Sequence, residues 1–206
     1  MILIGRNLSP FVRRTAASLN LMRIEFTQQT LSTADHAEAI GAHNPLRRVP
    51  ALILPGGEAL LDSAAILDAL DEMAGPERAL IPPSGPARRA VLRAVALGQG
   101  AMEKLVAAYY ERDRRPAALV WPDAVARLSA QAAAGFAALD DLAAASTVPF
   151  LFGAKPSQAD VTATVALDFA GIVMPDLVRD RFAALAALRD RANALPAIGE
   201  TRWATA

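Results

Sequence analysis

The 206 residues include no cysteine. Disulfides, thiolate metal sites and any mechanism in which the protein supplies the sulfur are thereby excluded. Histidine is nearly absent as well. His36 and His43 could share one helix face, but two imidazoles without a third ligand make a poor metal site, so no metal is expected and both belong on solvated surface. Neither sign of charge is in excess, with 21 Lys and Arg against 21 Asp and Glu, and no basic run suggests a surface that tracks phosphates. Nucleic acid is not an expected partner. No stretch reaches the roughly 18 apolar residues needed to cross a bilayer, and the opening MILIGRNLSPFVRR has no charged leader followed by a long apolar run. A cytoplasmic protein without membrane contact is the expectation. Apolar residues make up 53% of the chain, ample for a core.

What is present concentrates in residues 44–67, NPLRRVPALILPGGEALLDSAAIL. Asn44-Pro45 is a turn signal, and Val49-Pro50 stands just ahead of the apolar run Ala51 to Leu54, which reads as a short buried strand. Proline lacks the N–H that a ladder needs, so it belongs at a strand edge or first residue. A cis Val49–Pro50 bond is expected here, with the N–H and C=O of Val49 turned outward to pair with an extended peptide. Pro55-Gly56-Gly57-Glu58 closes a hairpin into a second strand, Ala59 to Leu61, and Asp62-Ser63 cap the next helix. A strand edge, two arginines and a capped helix start suit a small, charged, peptide-like ligand.

Before this stretch, Met1 to Gly5 reads as a buried strand, Ser9-Pro10 as the cap and first residue of a helix, and Glu25 to Gln29 as a second strand. Ala34 to His43 reads as a further helix. The order β-α-β-α-β-β-α describes a thioredoxin-like α/β domain over residues 1–79. LIPPSG, residues 80–85, is a linker, and residues 86–206 form an all-helical domain. Its first helix runs from Pro86 to Arg112 with the stripe Val91, Val95, Gly98, Met102, Leu105 and Tyr109. The second starts at Trp121-Pro122-Asp123, and its stripe ends at Phe136, Leu139 and Leu142. Ser157 and Asp160 form a capping box ahead of VTATVALDFAGIV, the expected central buried helix, and have a structural role. A last helix spans Arg181 to Leu195.

Four segments resemble the glutathione S-transferase family: Ser9-Pro10-Phe11, NPLRRVPAL from Asn44 to Leu52, Asp62-Ser63-Ala64-Ala65-Ile66, and SQAD from Ser157 to Asp160. They occur in the family's order and span essentially the whole chain. The resemblance implies a thioredoxin-like glutathione-binding domain, a helical domain carrying the second-substrate pocket, and a homodimer. The serine start is closest to bacterial members of mixed substrate range, with detoxification as the expected role. By this resemblance Ser9 is the catalytic residue, activating the thiol of bound glutathione for attack on a small electrophile. Val49 and Pro50 meet the cysteine backbone of glutathione. Asp62 pairs with the γ-glutamyl ammonium, Ser63 takes the neighbouring carboxylate, and Arg48 meets the glycine carboxylate. Phe11, Tyr109 and Tyr110 are candidates for the second-substrate pocket.

Several alternatives stay open at the level of sequence. Ser9 is also a good N-cap with no further role. Arg47 occupies a place where many relatives have glycine, which leaves open whether Arg47 or Arg48 points into the site. Peroxide reduction and isomerisation with bound glutathione are compatible with the same residues. So is a non-catalytic glutathione carrier or a protein-interaction module on this fold.

Overall fold

Leu3 and Ile4 are neighbours in the chain, both fully buried, and they lie in two different apolar clusters. Successive side chains of a strand point to opposite faces, so a strand with no polar residue must be covered on both sides. That strand is β1, Ile2–Ile4, in a computed structural model that describes Met1–Trp203. It pairs in parallel with β2, Thr27–Gln29, and antiparallel with β3, Ala51–Ile53, which pairs antiparallel with β4, Ala59–Leu61. The strand order is β2-β1-β3-β4. On one face Leu3 and Leu52 pack with Val12, Ala16 and Leu19 of α1, Pro10–Leu21, and with Ile66, Leu67 and Leu70 of α3, Ser63–Ala74. On the other, Ile4 and Ala51 meet Ile40 of α2, Ala37–Gly41. The element order β1-α1-β2-α2-β3-β4-α3 is the thioredoxin-like arrangement expected.

Contacts group the chain into two units, Met1–Pro83 with Asn193–Ala206, and Ser84–Ala192. The sequence reading left everything after residue 85 in the helical half. The difference lies in the tail, which contains α9, Pro196–Gly199. Arg13 of α1 is 4% exposed; its Nη2 donates to Asn193 Oδ1 at 2.9 Å and its Nε to Thr201 Oγ1 at 3.3 Å. Asn20 Nδ2 adds a bond to the Ala197 carbonyl at 3.1 Å, and the Arg6 guanidinium lies 5.6 Å from the Trp203 ring. No acidic residue lies between Arg6 and Ile24, so the α1 arginines find no local carboxylate and take distant partners.

The second unit is helical: α4, Gly85–Tyr109; α5, Pro122–Ala145; α6, Gln158–Val173; α7, Pro175–Val178; and α8, Ala183–Asn193. The sequence reading extends the first of these as an α-helix to Arg112. Instead the chain changes to a π-helical turn over Tyr110–Arg114, where Arg112 Nη2 donates to the Val173 carbonyl at 2.7 Å. Gly98 lets α4 and α6 approach closely: a Cβ there would stand 3.0 Å from Thr162 Cγ2 and 3.5 Å from the Ala163 nitrogen. That glycine serves packing within the chain. No described helix is long and apolar enough to cross a membrane.

The helix α6 is buried almost all round, so its start must satisfy its own donors. Asp160 is fully buried; its Oδ2 accepts from the Ser157 N–H at 2.8 Å and the Ser157 hydroxyl at 2.7 Å, and its Oδ1 from the Leu151 N–H at 2.8 Å. Burial pushes this carboxyl above its ordinary value of 3.8, against the hydrogen bonds that lower it. The folded state thus binds the proton more tightly than the unfolded chain. The resulting stability is greatest below about pH 3.8 and is lost as pH rises through the folded value. Urea midpoints should therefore show the advantage of the native protein over Asp160→Asn shrinking as pH rises above about 4; a constant or growing difference would contradict this.

Candidate functional site

Ser9 sits at the N-terminus of α1 as its N-cap, with φ −69° and ψ 120°. Pro10 follows as the first helical residue, where its missing N–H costs nothing. The capping bond is long: the Val12 N–H reaches Ser9 Oγ at 3.4 Å, outside the usual range for N–H···O. Among the described residues this is the only hydrogen bond to the Ser9 hydroxyl, so its proton is uncommitted. Half-buried, it stands where the positive end of the helix favours a developing negative charge.

Gly5 brings the strand loops against this helix start. Its φ is +125°, and a Cβ built on it would lie 2.6 Å from Val12 Cγ2 and 2.9 Å from Val49 Cβ. Val49 therefore lies beside the first turn of α1. The Val49–Pro50 bond is cis. Among the described residues, no backbone hydrogen bond uses the N–H or C=O of Val49. The loop in front of it is fixed by Asn44, which is 3% exposed: its Nδ2 donates to the Arg48 carbonyl at 2.8 Å, and its Oδ1 accepts from the Leu46 N–H at 3.0 Å. Gln28 of β2 does the same for the loop that leads to Ser9, donating to the Gly5 carbonyl and to Asn7 Oδ1, both at 2.8 Å.

The two arginines differ in their surroundings. Arg47 adopts a left-handed φ of 52° and its guanidinium pairs with Glu38 at 3.0 Å. Arg48 is exposed and makes no ion pair among the described residues. At the start of α3, Asp62 has φ 68° and caps the helix, its Oδ1 accepting from the Ala64 N–H at 2.8 Å. Ser63 is 2% exposed, and its Oγ accepts from Arg14 Nε at 3.1 Å and Nη2 at 2.7 Å. Ser9, Arg48, Val49, Pro50, Asp62 and Ser63 all belong to the first unit; Val12 of α1 and Val49 both border Gly5, and α1 reaches the α3 start through Arg14.

Phe11 also belongs to this unit, its ring 5.9 Å from Arg14 Cζ. Tyr109 and Tyr110 belong to the second unit, where their rings meet edge to face at 5.8 Å. Nearby Glu111 is held below the usual carboxylate range, chiefly by the Trp121 N–H and then by Arg115. Sequence reasoning missed Gly5, Arg14, Asn44 and Gln28. For Arg14 a signal existed, since an arginine in a helix with no acidic neighbour is a candidate for a distant partner. An open depression lined by Asn20, Arg23, Ile24 and Glu25 lies at the other end of α1 and holds none of the expected residues. Among the described residues, no group of three His, Cys, Asp or Glu is placed to hold a metal ion.

Residues 3–78 match the family description "Glutathione S-transferase, N-terminal domain", and residues 122–191 match "Glutathione S-transferase, C-terminal domain". A search of curated proteins finds no match. Among solved structures, a glutathione S-transferase from Methylobacterium radiotolerans in complex with glutathione sulfonate is similar, with TM-score 0.91 and 27% identity over 100% of this chain and 96% of that one. One from Methylobacillus flagellatus with glutathione bound has TM-score 0.90 and 27% identity, covering 98% and 99%. A glutathione transferase family member from Pseudomonas fluorescens Pf-5, with bound glutathione, has TM-score 0.83 and 28% identity, covering 99% of each. With both domain descriptions matched in order and these neighbours aligned nearly end to end, the chain belongs to the glutathione S-transferase family.

Proposed function

We propose that this chain is a glutathione transferase in which the first unit binds glutathione and Ser9 donates a hydrogen bond to its thiolate, which attacks a small electrophile. The observation that carries the reading is the uncommitted Ser9 hydroxyl at the positive end of α1, beside a Val49 whose N–H and C=O have no partner among the described residues. An extended tripeptide pairing its cysteine with Val49 would bring its thiol toward that hydroxyl. The protein has no sulfur nucleophile of its own, so the ligand must supply it.

A free thiol has a pKa of about 8.5, and lowering it by about two units requires about 2.7 kcal/mol in favour of the thiolate. One hydrogen bond to a charged group contributes about 1.5–3 kcal/mol and a helix N-terminus about 0.3–1. Their sum is of the required size. Asp62, with one carboxylate oxygen still available beside its cap bond, meets the ammonium; Ser63 meets the γ-glutamyl carboxylate. Arg48 meets the glycine carboxylate, since Arg47 is already paired with Glu38. Phe11 and the Tyr109–Tyr110 pair are retained as candidates for contact with the electrophile. Assembly as a homodimer in the cytoplasm belongs to the same reading, though Gly98 is no part of its basis.

Titration calorimetry with glutathione, followed by turnover on a panel of electrophiles, tests the proposal. Binding with conjugation supports it; binding without turnover makes the chain a carrier, and no binding removes the glutathione role altogether. The arginine assignment has its own measurement. Arg48→Ala should weaken glutathione about tenfold, whereas Arg47→Ala should change affinity less than about twofold, because a charge-assisted bond is lost only in the first. The reverse order would exchange their roles.

A further inference from the structure

The helix α1 carries adjacent arginines with different destinations, Arg13 toward the tail and Arg14 toward α3. Arg14 is fully buried, and two of its N–H groups converge on one oxygen, Ser63 Oγ, at 3.1 and 2.7 Å. A serine hydroxyl offers two acceptor lone pairs and one proton, while guanidinium has only donors. With both lone pairs taken by Arg14, the hydroxyl can act toward anything else only as a donor. No described residue accepts its proton. Ser63 is also the first residue of α3, where backbone N–H groups have no intrahelical partners. A buried positive charge behind the hydroxyl and the positive end of a helix around it both select an anion.

We propose that Arg14 is a positioning residue that makes Ser63 a one-way hydrogen-bond donor to the γ-glutamyl carboxylate of glutathione; the proposal rests on the reading of the first unit as a glutathione site. Without the guanidinium the Ser63 hydroxyl regains its acceptor capacity and rotates, and the discrimination between carboxylate and ammonium is lost. Asp62, one residue earlier, has the opposite preference, since an ionised carboxylate only accepts. The pair thus reads the two charged groups on one carbon of the ligand, and Arg14 sets the polarity of half of it.

Calorimetry on the full chain with three probes tests this: glutathione, the 4-aminobutyryl-Cys-Gly analogue that lacks the carboxylate, and the glutaryl-Cys-Gly analogue that lacks the ammonium. The native protein should bind the 4-aminobutyryl analogue about tenfold or more weakly than glutathione. In Arg14→Met that penalty should fall below about threefold, with affinity for the 4-aminobutyryl analogue unchanged. The cost of removing the ammonium, read with the glutaryl probe, should persist. A merely structural arginine would weaken all three probes alike, and that result, or an unchanged carboxylate penalty, would overturn the proposal. Should Arg14→Met fail to fold, Arg14→Lys decides: its single ammonium cannot occupy both lone pairs in the same fork, so the penalty should be intermediate, and native-like discrimination would count against the role assigned here. If the native protein binds glutathione but shows no carboxylate penalty, only this inference falls. If glutathione does not bind at all, the underlying reading falls with it.

Discussion

Replacing Ser9 by alanine should lower the conjugation rate about a hundredfold and return the thiol of bound glutathione to a pKa near 8.5, with the fold intact. The magnitude follows from the hydrogen bond removed. A donor to a buried or half-buried thiolate contributes about 1.5–3 kcal/mol, and each 1.36 kcal/mol is a factor of ten in rate. Loss of the cap works in the other direction from what a structural role would require. The Val12 N–H lies 3.4 Å from Ser9 Oγ, so the N-cap bond is weak and its removal should cost well under the ~1 kcal/mol typical of a good cap. The ultraviolet absorbance of the bound thiolate, titrated from about pH 5 to 9, separates the two roles. A Ser9→Ala protein with an unshifted thiolate titration and full turnover would leave Ser9 as a cap and send the search for the activating donor to backbone N–H groups of the first turn.

The second large effect is expected at Gly5, and it is one of stability first. Alanine there must accept φ +125°, a backbone region nearly closed to residues with a Cβ, at about 1–3 kcal/mol. It must also place that Cβ within 2.6 Å of Val12 Cγ2 and 2.9 Å of Val49 Cβ. Overpacking of this kind adds about 1–3 kcal/mol, and the neighbours that must retreat are the first turn of α1 and the Val49 loop. Gly5→Ala should therefore lower the melting temperature by about 10 °C and weaken glutathione in the fraction that stays folded. A melting temperature within about 2 °C of the native value would show that the loop relaxes freely, and with it that Val49 is not held in place by the helix start.

The local structure of the candidate site is largely legible in the sequence, because its helix starts and strand edge are set by neighbouring residues. Ser9-Pro10 is a helix start in any fold, Asp62-Ser63 is another, and a proline directly ahead of an apolar run marks a strand edge. Those signals need no knowledge of what lies across the sheet. Arg14 gives only a weak signal in the sequence, for the opposite reason. Its partner Ser63 lies 49 residues away, and on a helix wheel Arg13 and Arg14 look like an ordinary charged face until both prove to be buried. The choice between Arg47 and Arg48 was undecidable for a similar reason, since it turns on the left-handed backbone at Arg47 and the position of Glu38. The end of α4 is hard to read for the same reason, since the π-helical turn that follows it carries Arg112, whose partner Val173 is 61 residues away.

The tail that returns to α1 also bears on how the chain is made. Arg13 and Thr201 are 188 positions apart, so on a ribosome adding about 5–20 residues per second the arginine waits about 10–40 s for that partner to be synthesised. Until then the α/β unit lacks the bonds from Arg13 to Asn193 and Thr201. The order of elements along the chain is thus not the order in which this unit closes: a helix made early takes some of its partners from a segment made much later.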